Sequence, residues 1–184
     1  DPGTYAGTGI YLIAVSGDDL RLLTDQSGSN ISWSADGREI AFERWVRNTS
    51  GDPSEAEHSR RGLWAVDVAN GSLRRITGID GSEPEWSPDG SLVAYSTADA
   101  IWVVNADGTG GQRPVTDLPP DTGSFSEVEV LSHAWSQDGI WISFCSDASR
   151  PGHHDVYKIH PDGTGLVQLM ETPEYECGAT WRPA

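Results

Sequence analysis

Apolar residues in this chain come in short runs of four to six rather than in long helical stripes. Ile10-Tyr11-Leu12-Ile13-Ala14-Val15, Leu63-Trp64-Ala65-Val66, Leu92-Val93-Ala94-Tyr95, Ile101-Trp102-Val103-Val104 and Val156-Tyr157-Lys158-Ile159 are the clearest. They are rich in β-branched and aromatic residues and bounded by Gly, Asp, Asn and Ser, which predicts strands. No stretch shows a convincing helical period. Between the runs lie Asp36-Gly37, Asn70-Gly71, Asp89-Gly90, Asp107-Gly108, Asp138-Gly139 and Asp162-Gly163. Asp and Asn bond their own backbone and Gly accepts positive φ, so each pair predicts a tight turn between antiparallel strands.

The runs repeat as a set. Trp33-Ser34-Ala35-Asp36-Gly37, Trp86-Ser87-Pro88-Asp89-Gly90 and Trp135-Ser136-Gln137-Asp138-Gly139 are three copies of one motif. Trp181-Arg182-Pro183-Ala184 is a clipped fourth. The interval is about fifty residues, the mark of a repeat architecture. Each full repeat predicts four strands, a to d, with the tryptophan at the end of strand a. An unpaired c–d hairpin at 9–24 precedes full repeats at 30–77, 83–116 and 131–170. A lone a strand follows in 178–184, which makes fifteen strands in one domain spanning 1–184. Four-stranded antiparallel units at this period are the blades of a β-propeller, so the fold class expected is all-β. A large aromatic at one fixed place per blade fills the wedge between neighbouring blades. Trp33, Trp86 and Trp135 are therefore expected to be buried.

The run Trp-Ser-Pro-Asp-Gly, an apolar strand, then Ile101-Trp102-Val103-Val104-Asn105-Ala106-Asp107-Gly108-Thr109 resembles the repeats of TolB-like propellers, relatives of the WD-repeat family. Ser146-Asp147-Ala148-Ser149-Arg150 followed by Asp155-Val156-Tyr157 is similar to that family's b–c segment. The resemblance covers the chain from about Gly9 to Trp181. It implies a propeller fold. On function it implies only a class, since such propellers include docking modules of the bacterial envelope and the gating domains of prolyl oligopeptidase-type peptidases.

The repeats differ in two places. The b–c connection of the first carries an excess over Val46 to Arg61, and the d–a connection of the third is lengthened over Asp117 to Val130. Strands a and c run one way and b and d the other, so both insertions emerge on one rim. Insertions in repeat proteins gather where function lies. The partner-binding candidates on this rim are Asp52, Glu55, Glu57, Asp117, Asp121, Glu127 and Glu129. The opposite rim is expected to hold tight turns and little else.

Charge sharpens this picture. The 184 residues hold 12 Lys and Arg against 28 Asp and Glu, a net charge of −16. Nucleic acid is bound by neutralising phosphates with cations, so it is not an expected partner. A protein, or another copy of the chain joined through a strand edge, is. No apolar run approaches the roughly 18 residues that a membrane helix needs.

Candidate chemistry is sparse. The chain has no Gly-x-Ser-x-Gly elbow and no Walker loop, and no enzymatic activity is expected. No cofactor is expected beyond a divalent cation such as calcium on the acidic rim. His153-His154-Asp155 is the metal-like cluster, with His153 and Asp155 on one side of an extended segment. His133 occupies the place taken by Ile31, Pro84 and Ala179 in the other repeats, either packed or facing the channel. Cys145 ends a b strand and Cys177 begins the next a strand on the same rim, a placement that allows a disulfide. Of three glycosylation sequons, at Asn30, Asn48 and Asn70, Asn48 lies on the long loop and is the candidate acceptor.

These features suggest a non-catalytic binding propeller, extracellular or periplasmic, engaging a protein or small ligand through its acidic rim. The alternatives are the propeller part of a larger hydrolase and a self-assembling extracellular subunit completed by strand exchange. The ends of the chain supply an a strand, a c strand and a d strand with no b strand between them. The expectation is that the gene product extends N-terminally or borrows a strand from another copy, and that these residues do not form a sealed monomeric ring.

Overall fold

A computed structural model of the chain describes residues 9–46, 60–78, 81–97, 100–110, 113–116, 130–147 and 154–170, together with Cys177 and Trp181. These residues form fourteen strands and no helix. Strands β1 (Ile10–Leu12) and β2 (Arg21–Thr24) make a hairpin. β3 (Ser29–Trp33), β4 (Glu39–Val46), β5 (Arg60–Asp67) and β6 (Leu73–Thr77) form the first blade. β7 (Ser82–Trp86), β8 (Leu92–Ser96), β9 (Ile101–Asn105) and β10 (Arg113–Pro114) form the second. β11 (Val130–Trp135), β12 (Ile142–Ser146), β13 (Asp155–Ile159) and β14 (Val167–Met170) form the third. All neighbours are antiparallel and sequential, as expected of propeller blades. Of the expected fifteenth strand, only Trp181 lies among the described residues.

The motif turns show why serine accompanies Asp-Gly. Ser34 Oγ donates to Asp36 Oδ1 at 2.7 Å and accepts from the Glu39 amide at 2.9 Å. Ser87 and Ser136 do the same with Asp89 and Leu92, and with Asp138 and Trp141. One hydroxyl thus bridges both sides of each a–b turn. These hydrogen bonds, the serine's first, hold the carboxyls of Asp36, Asp89 and Asp138 below their ordinary value.

The c–d turns carry a second constraint. Gly71, Gly108 and Gly163 have φ of 73°, 78° and 87°. A Cβ there would lie 2.7, 3.0 and 3.2 Å from the carbonyl oxygens of Leu23, Arg75 and Val115 on the preceding blade or hairpin. Glycine is needed at each for its backbone angle and, at Gly71 above all, for the close approach of the neighbouring blade.

Packing is between blades. Ala41, Leu63, Ala65 and Ile76 of the first blade close on Trp86, Val93 and Tyr95 of the second. Ala94, Ile101 and Val103 of the second close on Trp135, Ile142 and Phe144 of the third. The hairpin contributes Ile10 and Leu23 against Ile40, Phe42 and Val66. Alternation along each b strand thus divides its side chains between the two neighbouring blades.

Each joint is stitched at the inner strand. The Trp86 amide donates to Ser32 Oγ at 3.3 Å, and the Trp135 amide to Glu85 Oε2 at 3.3 Å. Trp135 Nε1 donates to the Glu85 carbonyl at 3.1 Å, and Trp181 Nε1 to the Ala134 carbonyl at 3.0 Å. In every case the acceptor is the residue just before the preceding blade's tryptophan.

Trp86 and Trp135 are buried, at 7% and 6% exposure, but Trp33 is 49% exposed. The expectation of burial fails for Trp33 because it faces the two-stranded hairpin. That hairpin packs on the blade through Ile10 and Leu23, and the inner strands that would cover Trp33 and Ile31 are not among the described elements. Trp135→Ala should therefore lower unfolding stability by about 3–5 kcal/mol, while Trp33→Ala should cost about 1 kcal/mol or less. Urea denaturation of the two variants checks this, and equal losses would contradict the packing described.

Candidate functional site

The direction of the strands places the b–c and d–a connections at one end of the blades and the motif turns at the other. The candidates Asp52, Glu55, Glu57, Asp117, Asp121, Glu127 and Glu129 all lie outside the described residues. Asn48 and His153 lie outside them as well. What the structure does show is the platform beneath. β4 and β5 pair over eight residues, to Val46↔Arg60, whereas the b–c pairs of the other two blades cover five. The first insertion thus stands on a hairpin extended by three residue pairs. Its base is braced by Arg44, whose guanidinium lies 4.7 Å from the centre of the Trp64 ring and donates to Gln26.

The inner strands share a feature that the sequence reading missed. Asn30, Glu83 and Ser132, each three residues before its tryptophan, have φ of 50°, 54° and 39°. Each sits at a register shift in its a–b pairing. These are β-bulges in the left-handed region, which side-chain-bearing residues rarely occupy. Two of them reach the b strand: Asn30 Nδ2 donates to Glu43 Oε2 at 2.7 Å, and Ser132 Oγ to Cys145 Sγ at 3.8 Å. Glu43 is buried at 2% exposure, and the Asn30 bond supplies part of what water would otherwise provide. The only sequence signal for these bulges is their fixed place before each tryptophan.

Cys145 is buried and Cys177 exposed. Cys145 is held inside the β11–β12 pairing, opposite Leu131, where its sulfur meets Ser132. Asp155 is also buried, at 1% exposure, and accepts from Gln168 Nε2 at 3.1 Å across β13–β14. Among the described residues, no group of three or more His, Cys, Asp or Glu side chains converges to hold a metal ion.

The motif-turn end is not as bare as expected. A cleft of ≈ 400 Å³ opens there between the first two blades, lined by Asp36, Glu39, Arg74, Trp86, Asp89 and Asp107 among others. Arg74 grips Glu39 through Nε at 2.7 Å and Nη2 at 2.6 Å, with its guanidinium 5.9 Å from the Trp86 ring centre. Glu39 thus neutralises the one cation of the lining, and the remaining carboxylates disfavour an anion.

The comparisons with known proteins agree with the architecture. No protein-family model matches the chain. The Tol-Pal system protein TolB of Zymomonas mobilis is 40% identical over 76 residues, covering 35% of this chain and 15% of that protein. A TolB structure from Agrobacterium tumefaciens superposes with a TM-score of 0.68 at 22% identity, covering 92% of this chain and 59% of that one. The fold is that of a β-propeller, as in the TolB structures. An oligogalacturonate lyase superposes with a TM-score of 0.70 at 17% identity, covering 91% of this chain and 49% of the lyase. Peptidase chains are among the further matches. The chain thus spans about half the length of these two solved propellers and a smaller part of the curated TolB. No helix among its described residues is long and apolar enough to cross a membrane.

One joint of this propeller carries two titratable groups of opposite sense. Burial pushes the Glu85 carboxyl up to about 7. Burial pushes His133 down to about 4, and its two ring nitrogens are shielded beside the carbonyls of Ala94 and Glu83 without completing a normal hydrogen bond. The Glu85 contribution to stability is full below its unfolded value of 4.5 and is lost as pH rises through about 7. The His133 contribution is full above 6.5 and is lost as pH falls through about 4. Between 4.5 and 6.5 the two trends oppose each other. Glu85→Gln should therefore make the protein more acid-sensitive than the parent, and His133→Phe should make it lose stability as pH rises. Urea midpoints across this range measure both, and parallel profiles for the parent and both variants would refute the assignment.

Proposed function

We propose that this chain is a non-catalytic binding scaffold whose working face is the inserted end of the blades. The observation that carries the proposal is the three-pair extension of β4 and β5, which lifts one insertion beyond the level of the other blades. The second insertion, between β10 and β11, leaves from the same end. Seven carboxylates lie in these two segments, in a chain of net charge −16, which suits a partner with a basic surface. The likeness to TolB supports a protein partner and a place in the bacterial envelope, with the periplasm favoured. The likeness to the lyase supports the scaffold without supporting its chemistry, because sites are grafted on folds independently of them.

Replacing 47–59 with an Asn-Gly turn should leave the melting temperature within a few degrees of the parent. The same change should weaken capture of an envelope partner by about tenfold or more. Quantitative pull-down at low and raised salt measures the loss, and capture should weaken with salt. Undiminished, salt-insensitive capture by the shortened chain would move the working face elsewhere.

A further inference from the structure

We propose that the cleft between the first two blades is a second binding site, which takes a basic side chain of a partner protein together with a peptide carbonyl beside it. The cleft opens at the motif-turn end, opposite the insertions, so it stands apart from the working face proposed above. Its volume of ≈ 400 Å³ falls within the range of about 300–1,000 Å³ that ligand sites occupy. The repeat itself shows what would close it. Six residues after its tryptophan the second blade has Leu92, which packs on the apolar cluster of the next joint. The first blade has Glu39 there, held by Arg74 through two hydrogen bonds of 2.7 and 2.6 Å. Both side chains are mostly covered, at 26% and 32% exposure. A partly buried ion pair stabilises a joint no better than a well-packed leucine, so packing alone does not account for it.

Two donors on the cleft wall point to the ligand. Trp135 and Trp181 each place the indole N–H on a carbonyl of the blade before. Trp86, 7% exposed and part of the wall, finds no acceptor for its Nε1 among the described residues. Nor does the buried Nη1 of Arg74, which belongs to the same wall. Buried donors without acceptors are rare in folded proteins, and here two border one cavity. They call for an oxygen from outside the chain. An anion is disfavoured as its source, because Asp36, Asp89 and Asp107 line the same cleft and leave it negative once Glu39 has neutralised Arg74. The turn bonds of Asp107 both run to Oδ1, which keeps Oδ2 for a cation. A peptide bearing arginine or lysine offers both things at once: a neutral carbonyl oxygen for the donors and a cation for the carboxylates.

The test adds the peptide acetyl-Gly-Arg-Gly-amide to the whole chain and follows the proton–nitrogen correlation signal of the Trp86 indole. That signal should move saturably. The same peptide with glutamine in place of arginine should bind at least about tenfold more weakly. Asp89→Asn combined with Asp107→Asn keeps the Oδ1 acceptors of both turns and removes two charges. That variant should melt near the parent and lose about tenfold in affinity for the arginine peptide. Glu39→Leu combined with Arg74→Leu should fill the cleft as Leu92 fills its counterpart. It should melt at or above the parent and show no shift. The 47–59 replacement should bind the peptide as the parent does, so the two proposed faces fail separately. An indole signal that the arginine peptide leaves in place overturns the proposal. Equal affinity for the glutamine peptide overturns it as well. So does undiminished binding by the double Asn variant, which decides the matter even where the double Leu variant does not fold.

Discussion

Everything in this structure leans on the joint between one blade and the next. A single blade is four short strands with two apolar faces, and neither face has a partner inside the blade. The tryptophan at the end of each inner strand resolves this. In the second and third blades its ring is buried against the preceding blade, and its amide or indole N–H is satisfied there by the residue before that blade's own tryptophan. The bond turns a non-directional apolar contact into a defined register. Blades cannot slide past each other without breaking it, so one contact type sets the position of every strand outward from the centre.

The turns serve the same end. Serine and aspartate in the motif close the a–b turn onto itself, so the chain reverses without spending side chains on the joint. Glycine in the c–d turn lets the neighbouring backbone come close, nearest at Gly71. Part of the acidity follows from this. Asp36, Asp67, Asp89, Asp107, Asp138 and Asp162 all accept hydrogen bonds inside turns. A net charge of −16 therefore reflects how the blades are punctuated as well as what they meet.

The candidate site was legible only in outline. Two segments out of step with the repeat were visible, and strand direction places both at one end. Glu85 and His133 were not legible as members of one joint, because they are 48 residues apart in sequence and share only the place where β7 and β11 abut. The cleft around Arg74 and Trp86 was missed for the same reason, since its walls come from two blades. The left-handed residues Asn30, Glu83 and Ser132 were hidden because bulges depend on how one strand pairs with the next.

By itself the sequence determined the strand pattern, the turn positions, the blade count within these residues and the end from which the insertions emerge. These follow from local chemistry repeated at a fixed interval: alternating apolar runs, Ser-x-Asp-Gly turns, and one tryptophan per period. Only the tertiary structure decided which copies of the motif find a partner. Trp86 and Trp135 share the Trp-Ser-x-Asp-Gly motif with Trp33 and differ from it in exposure, because burial depends on the strands supplied by the blade before. It likewise set Cys145 Sγ beside Ser132 Oγ and paired Arg74 with Glu39. Period fixes what each blade offers; the neighbour, which no local pattern encodes, fixes what is taken.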